Sequence, residues 1–194
     1  MTKKDVAMVQ RMAMHLGPLA GDEMRNKVME GSEQITANSS EKELIDWVKG
    51  TMRRLDKLVD EKTRIQLMEN CGYDCSSVNK GFIERGKARR RKYRTIDQFL
   101  EAEQRKPPRG TRLVREGKLL YQYYTPYAYA KSLRCYCSLL RGLPANEKVS
   151  LTYCHCSKGF VKKFWEAILE RPLKVELLQS AVSGAKECKF AIHL

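Results

Sequence analysis

The chain has 194 residues, and its 37 lysines and arginines exceed its 23 aspartates and glutamates by a formal charge of +14. That length suits one sizeable core with a smaller lobe and excludes a large multidomain enzyme. An apolar share of 42% argues against wholesale disorder, and no apolar run approaches the roughly 20 residues of a membrane-spanning helix.

The start of the chain, Met1-Thr2-Lys3-Lys4 and then residues 6–16, has the outline of a signal peptide, but Gln10, Arg11 and His15 interrupt its apolar stretch. A cytoplasmic protein is expected. Ser40-Glu41-Lys42-Glu43 is a capping box, followed by an apolar stripe at Leu44, Ile45, Val48, Met52 and Leu55. A second helix is expected over residues 60–71, with Gly72 ending it in a left-handed conformation. Thr95-Ile96-Asp97-Gln98 caps a further helix, which Pro107-Pro108 stops.

Beyond the proline pair the period of the pattern changes. Residues 111–114 and 119–124 read as a hairpin through Glu116-Gly117, and residues 134–140 and 149–153 read as further strands. The stretch 157–169 carries a broad helical stripe of Phe160, Val161, Phe164, Trp165, Ile168 and Leu169. Two strands follow, over 173–178 and 188–192, joined through Ser183-Gly184-Ala185-Lys186. Helices first and mostly antiparallel strands later make an α+β fold, with a helical region over 1–106 and an α+β region over 107–194, packed together as one domain.

Six of the seven cysteines fall in close pairs: Cys71 with Cys75, Cys135 with Cys137, and Cys154 with Cys156, leaving Cys188 by itself in sequence. Free cysteines usually behave as small buried hydrophobes. Residues two apart on a strand, or four apart on a helix, share a face, so converging pairs could also hold zinc through sulfur. If Gly72 ends its helix, the shared face of Cys71 and Cys75 is lost. Cys156, at the start of the last helix beside Lys158, Lys162 and Lys163, is the candidate for a nucleophilic thiolate. Seven of the ten residues 85–94 are basic, a run that suits either a solvated helix or a polyanion, and with no reading module around it nucleic acid is not an expected partner. Leu119, Tyr121 and Tyr123 alternate on one strand face and are the expected lining of an apolar ligand cavity between the sheet and the helices.

The run Cys154-His155-Cys156-Ser157-Lys158-Gly159-Phe160, the segment Arg171-Pro172-Leu173-Lys174-Val175-Glu176 and the closing Cys188-Lys189-Phe190-Ala191-Ile192 together resemble the C-terminal half of the 4-vinyl reductase domain. The resemblance covers residues 148–194. It implies helices packed on an antiparallel sheet, binding of a small, often hydrophobic molecule, and a structural zinc. In phenol-sensing regulators of that family the zinc is held by a cysteine before the helix, a Glu-x-x-Cys on the next-to-last strand and a cysteine on the last strand. Cys154 and Cys188 stand at the outer positions here, while Leu177 and Ser180 occupy the middle two, so Cys156 or the Cys71/Cys75 pair would have to complete the set. The last motif is also similar to that of amino-thiazoline-carboxylate hydrolase-like proteins, which implies an enzyme as the alternative. A homodimer is compatible with these features.

Overall fold

The computed structural model describes residues 3–194. Residues 1–2 of the signal-like start lie outside them, and the apolar stretch that follows belongs to helix α1 (Lys3–Ala20). Gly21 turns the chain into α2 (Asp22–Val28). The expected capping box begins α3 (Glu41–Leu58): the Ser40 side chain accepts from the Glu43 N–H, and the Glu43 carboxylate accepts from the Ser40 N–H. Its buried stripe is Leu44, Ile45, Val48, Met52 and Leu55, as the periodicity predicts, together with Trp47 and Thr51.

The next helix overturns one expectation. Asp60 caps α4 (Glu61–Val78), which runs straight through Gly72. A Cβ at Gly72 would fall 2.0 Å from the Cys156 carbonyl oxygen, and one at Gly159 would fall 2.3 Å from that of Glu69. Glycine is therefore used here for close approach between two helix backbones, not for a left-handed stop. Two shorter helices follow, α5 (Lys80–Arg90) and α6 (Ile96–Arg105), the latter opened by the Thr95/Gln98 capping box and ended before Pro107-Pro108.

The hairpin forms as expected from β1 (Thr111–Glu116) and β2 (Leu119–Tyr124), with Gly117 at φ 58° in its turn. Residues 134–140 and 149–153 are not strands. They hold short 3-10 turns, Ser138–Leu140 and Leu151–Cys154. The reason is visible at Arg134, whose guanidinium donates to the carbonyls of Pro144, Glu147 and Ala181 and so ties the segment by side-chain bonds. Helix α7 (His155–Leu169), β3 (Val175–Gln179) and β4 (Cys188–His193) complete the chain. The antiparallel sheet has the order β1-β2-β4-β3, with a register shift between Leu177 and Gln179. The fold is α+β.

Two buried cores form. One joins Met12, Leu16, Leu55 and Leu67 of the N-terminal helices to Leu139, Leu140, Tyr153 and Cys154. The other packs Val161, Trp165 and Ile168 of α7 and Phe99 of α6 against Leu120, Phe190 and Ile192 of the sheet. Each core thus draws on residues from both sides of the proline pair at 107–108. Within the second, Trp165 Nε1 donates to Gln122 Oε1 at 2.6 Å, a buried polar pair on the inner sheet face. No helix among the described residues is long and apolar enough to cross a membrane.

Candidate functional site: a thiol cluster beside a polar cleft

Because α4 is continuous, Cys71 and Cys75 do share one of its faces. The close approach at Gly72 and Gly159 then brings that face to the start of α7, where Cys154 and Cys156 lie. Cys188 opens β4, and Cys135 and Cys137 come from the irregular segment held by Arg134. Hydrogen bonds bind the group together. The Cys154 sulfur lies 2.8 Å from Ser180 Oγ, that of Cys137 lies 3.0 Å from the Tyr153 hydroxyl, and the Ala181 N–H donates to the Cys188 sulfur at 3.4 Å. A cavity of about 30 Å³ at the centre is lined by Cys135, Cys137, Cys154 and Cys188 with Tyr124 and Tyr136. That volume has room for a water molecule and not for an apolar ligand.

Burial governs the protonation of these groups. It pushes the thiols of Cys71 and Cys154 up to about 12 and those of Cys135 and Cys156 well above the ordinary thiol value, with neighbouring thiols adding to the shift at Cys135, Cys154 and Cys156. Burial thus works against the thiolate expected at Cys156. The three lysines expected to help are placed elsewhere, Lys158 with Glu69 at 2.5 Å, Lys162 with the Tyr73 hydroxyl and Lys163 at 5.9 Å from the Tyr73 ring centre.

The positions that the 4-vinyl reductase resemblance assigns to zinc do approach one another at Cys154, Ser180 and Cys188. However, Leu177 offers no donor and the Ser180 hydroxyl is bonded to Cys154. Among the described residues no group of three or more His, Cys, Asp or Glu side chains is arranged to hold a metal ion. The residues present do not fit that zinc site.

The tripeptide Cys154-His155-Cys156 also faces a second space. His155 lines an open cleft of about 320 Å³ with Asp56 from α3, Glu61 and Arg64 from the first turn of α4, and Ser150 and Thr152 from the segment before α7. Ile65 and Leu151 supply apolar wall. Thr152 Oγ1 donates to Asp56 Oδ1 at 2.6 Å, and the Thr152 N–H donates to Ser150 Oγ at 3.2 Å. Arg64 Nη1 donates to the Val59 carbonyl at 3.1 Å, while its Nε stands 3.4 Å from Asp56 Oδ1 without hydrogen-bond alignment. Among the described residues three buried side-chain polar atoms lack a hydrogen-bond partner, and two of them, Arg64 Nε and His155 Nδ1, belong to this cleft. Burial, aided by Lys158, lowers the His155 pKa below its ordinary 6.5, so the ring is neutral at pH 7.

Leu119, Tyr121 and Tyr123 do not lie between sheet and helices. The pleat turns Leu120 and Gln122 inward to the core, which leaves the predicted three half-buried on the outer face. Part of the basic run serves the fold: Arg89 makes two bonds to the buried Glu103, and Arg90 donates to the Tyr93 carbonyl and lies 6.0 Å from the Phe99 ring centre. Sequence reasoning passed over the cleft altogether. Asp56, Arg64 and Thr152 carry no motif, and His155 draws notice only as the residue between two cysteines.

The chain belongs to a family of unknown function, DUF6144, whose model matches residues 9–194. No curated protein matches it.

Proposed function

We propose that this member of the DUF6144 family binds a small polar molecule in the cleft formed by Asp56, Glu61, Arg64, Thr152 and His155. The observation that carries the reading is one open cleft whose lining combines two carboxylates, a guanidinium and an imidazole, and in which Arg64 and His155 each hold a buried nitrogen that makes no hydrogen bond within the protein. A buried polar group without a hydrogen bond costs about 1–3 kcal/mol, and a turn of either side chain onto a bound ligand would recover part of that cost. The Nε edge of a guanidinium suits a carboxylate, and Asp56 and Glu61 suit an ammonium or amidinium. A zwitterion of amino-acid size fits both demands, and the volume sits at the low end for small-molecule sites. The apolar ligand that the 4-vinyl reductase resemblance implies fits this polar lining less well. An intracellular setting belongs to the same proposal and is supported by the number of buried thiols, which a reducing compartment preserves.

The hydrolase resemblance supports a second reading at the same place, because a neutral His155 can accept a proton at pH 7. The test is a thermal-shift series with free amino acids and short carboxylic acids, set against aromatic hydrocarbons and fatty alcohols. The polar compounds should raise the midpoint and His155→Gln should abolish the rise. If apolar compounds raise it instead, or no compound does, the reading fails.

A further inference from the structure

The outer sheet face carries a pattern that the cleft does not use. Strand register aligns Arg112, Tyr123 and Lys189 across β1, β2 and β4. The Arg112 guanidinium lies 3.6 Å from the Tyr123 ring centre, and Lys189 Nζ lies 4.2 Å from that of Tyr121 and 5.5 Å from that of Tyr123. Past the end of β2 the arrangement recurs, with Lys186 at 5.8 Å from the Tyr127 ring and Arg109 at 4.6 Å from that of Tyr129. Arg112 and the Tyr127 hydroxyl meet on the Glu187 carboxylate, at 2.5 and 3.1 Å, which joins Tyr127 to the sheet face, while Tyr129 packs against Tyr136 at the edge. Four tyrosines thus each have a cation at the ring, on a chain of formal charge +14. Of the acidic groups nearby, Glu187 is paired as described and Glu176 with Lys174 and His193, while Glu116 stands at the far end of β1 opposite Leu119.

We propose that this surface binds single-stranded nucleic acid. Bases would stack on the rings of Tyr121, Tyr123 and Tyr127 while Arg112, Lys186 and Lys189 move to the phosphates. Each part follows from the chemistry present. An aromatic ring binds any unstacked base through its π face, and long cationic side chains track a phosphate backbone. A flat sheet face with rings on it offers no helix to enter a duplex groove, so an unpaired strand is the matching form. An acidic peptide would satisfy the cations but leave the rings without partners.

The experiment is fluorescence anisotropy with labelled oligouridylate and oligothymidylate, against a duplex of equal length and polyglutamate as competitor. The single strands should bind more tightly than the duplex and resist polyglutamate. Tyr121→Ala and Tyr123→Ala should each weaken binding about tenfold, while Tyr121→Phe, which keeps the stacking surface and the fold, should retain it. Lys189→Ala should lower the salt slope by about 0.7, the share of one phosphate contact on a single strand. Several results would overturn the proposal: no single-strand binding, equal duplex binding, displacement by polyglutamate, or binding unchanged in the tyrosine variants but lost in a variant with Arg91, Lys92 and Arg94 replaced by alanine.

Discussion

The two sides of the Cys154-His155-Cys156 tripeptide handle polar atoms in opposite ways. On the closed side, Cys154 meets Ser180, Cys137 meets Tyr153, Cys188 accepts from Ala181, and burial keeps the thiols protonated. On the open side, His155 and Arg64 each keep a buried nitrogen without a hydrogen bond, that of Arg64 standing 3.4 Å from Asp56, although Thr152 and Asp56 beside them are bonded to each other. A closed interior must match its polar groups internally, whereas side chains that line an open cleft can turn to partners entering from outside. In the proposed function the open side is where the protein meets a ligand, and the closed side is the support that fixes His155 in position.

The largest effect that would sharpen this contrast is in thiol chemistry. With its pKa pushed up from 9.0 to about 12, Cys154 presents about a thousandfold less thiolate at a given pH than an ordinary thiol. Titration with a thiol-specific disulfide reagent should therefore label Cys154 more than tenfold more slowly in the native protein than in guanidinium, the greater nucleophilicity of a high-pKa thiolate offsetting part of the loss. Fast native labelling of Cys154 would mean that the closed side is open. Next in size is Gly72→Ala, which drives a methyl group onto the Cys156 carbonyl where α4 and α7 meet. It should cost about 3 kcal/mol in urea unfolding and disturb both sides together, since α4 carries Cys71 and Arg64 alike.

Creating an orphan in a dry place is a smaller and more discriminating test. Gln122→Leu leaves Trp165 Nε1 buried without its acceptor and should cost about 2 kcal/mol, read as a lower urea midpoint. His155→Gln, in the wet cleft, should cost far less at pH 7. Its signature is instead in the pH dependence. Burial lowers the folded-state pKa of His155, so below about 6.5 the unfolded chain takes up a proton that the folded chain resists. Stability should fall as pH drops from 6.5 toward the lowered folded value, stay level above about 7, and lose this component in the His155→Gln variant. An identical pH profile in both proteins would break the account of the ring.

Much of the fold was legible because its signals are local. The two capping boxes, the Gly117 hairpin, the α7 stripe and the last two strands each declare themselves within a few residues. Gly72 was not legible, since the reason for it is the backbone of α7, far away in sequence. Residues 134–154 failed for a similar reason: the alternation of apolar residues suggests strands, but Arg134 fixes the segment through three distant carbonyls. At the site, the approach of Cys154 to Cys188 follows from their spacing and the resemblance. The cleft does not, because Asp56, Arg64 and His155 become neighbours only when α3, α4 and the start of α7 pack.

The most direct test of the central claim is the nitrogen NMR spectrum of protein labelled at histidine, recorded while a zwitterionic amino acid is titrated in. If a small polar ligand fills the cleft, the His155 Nδ1 resonance should move saturably, while the resonances of His15 and His193, which bond to Asp74 and Glu176, stay in place. A His155 resonance that does not respond to any zwitterion or carboxylate, or that moves only with an apolar compound, would contradict it.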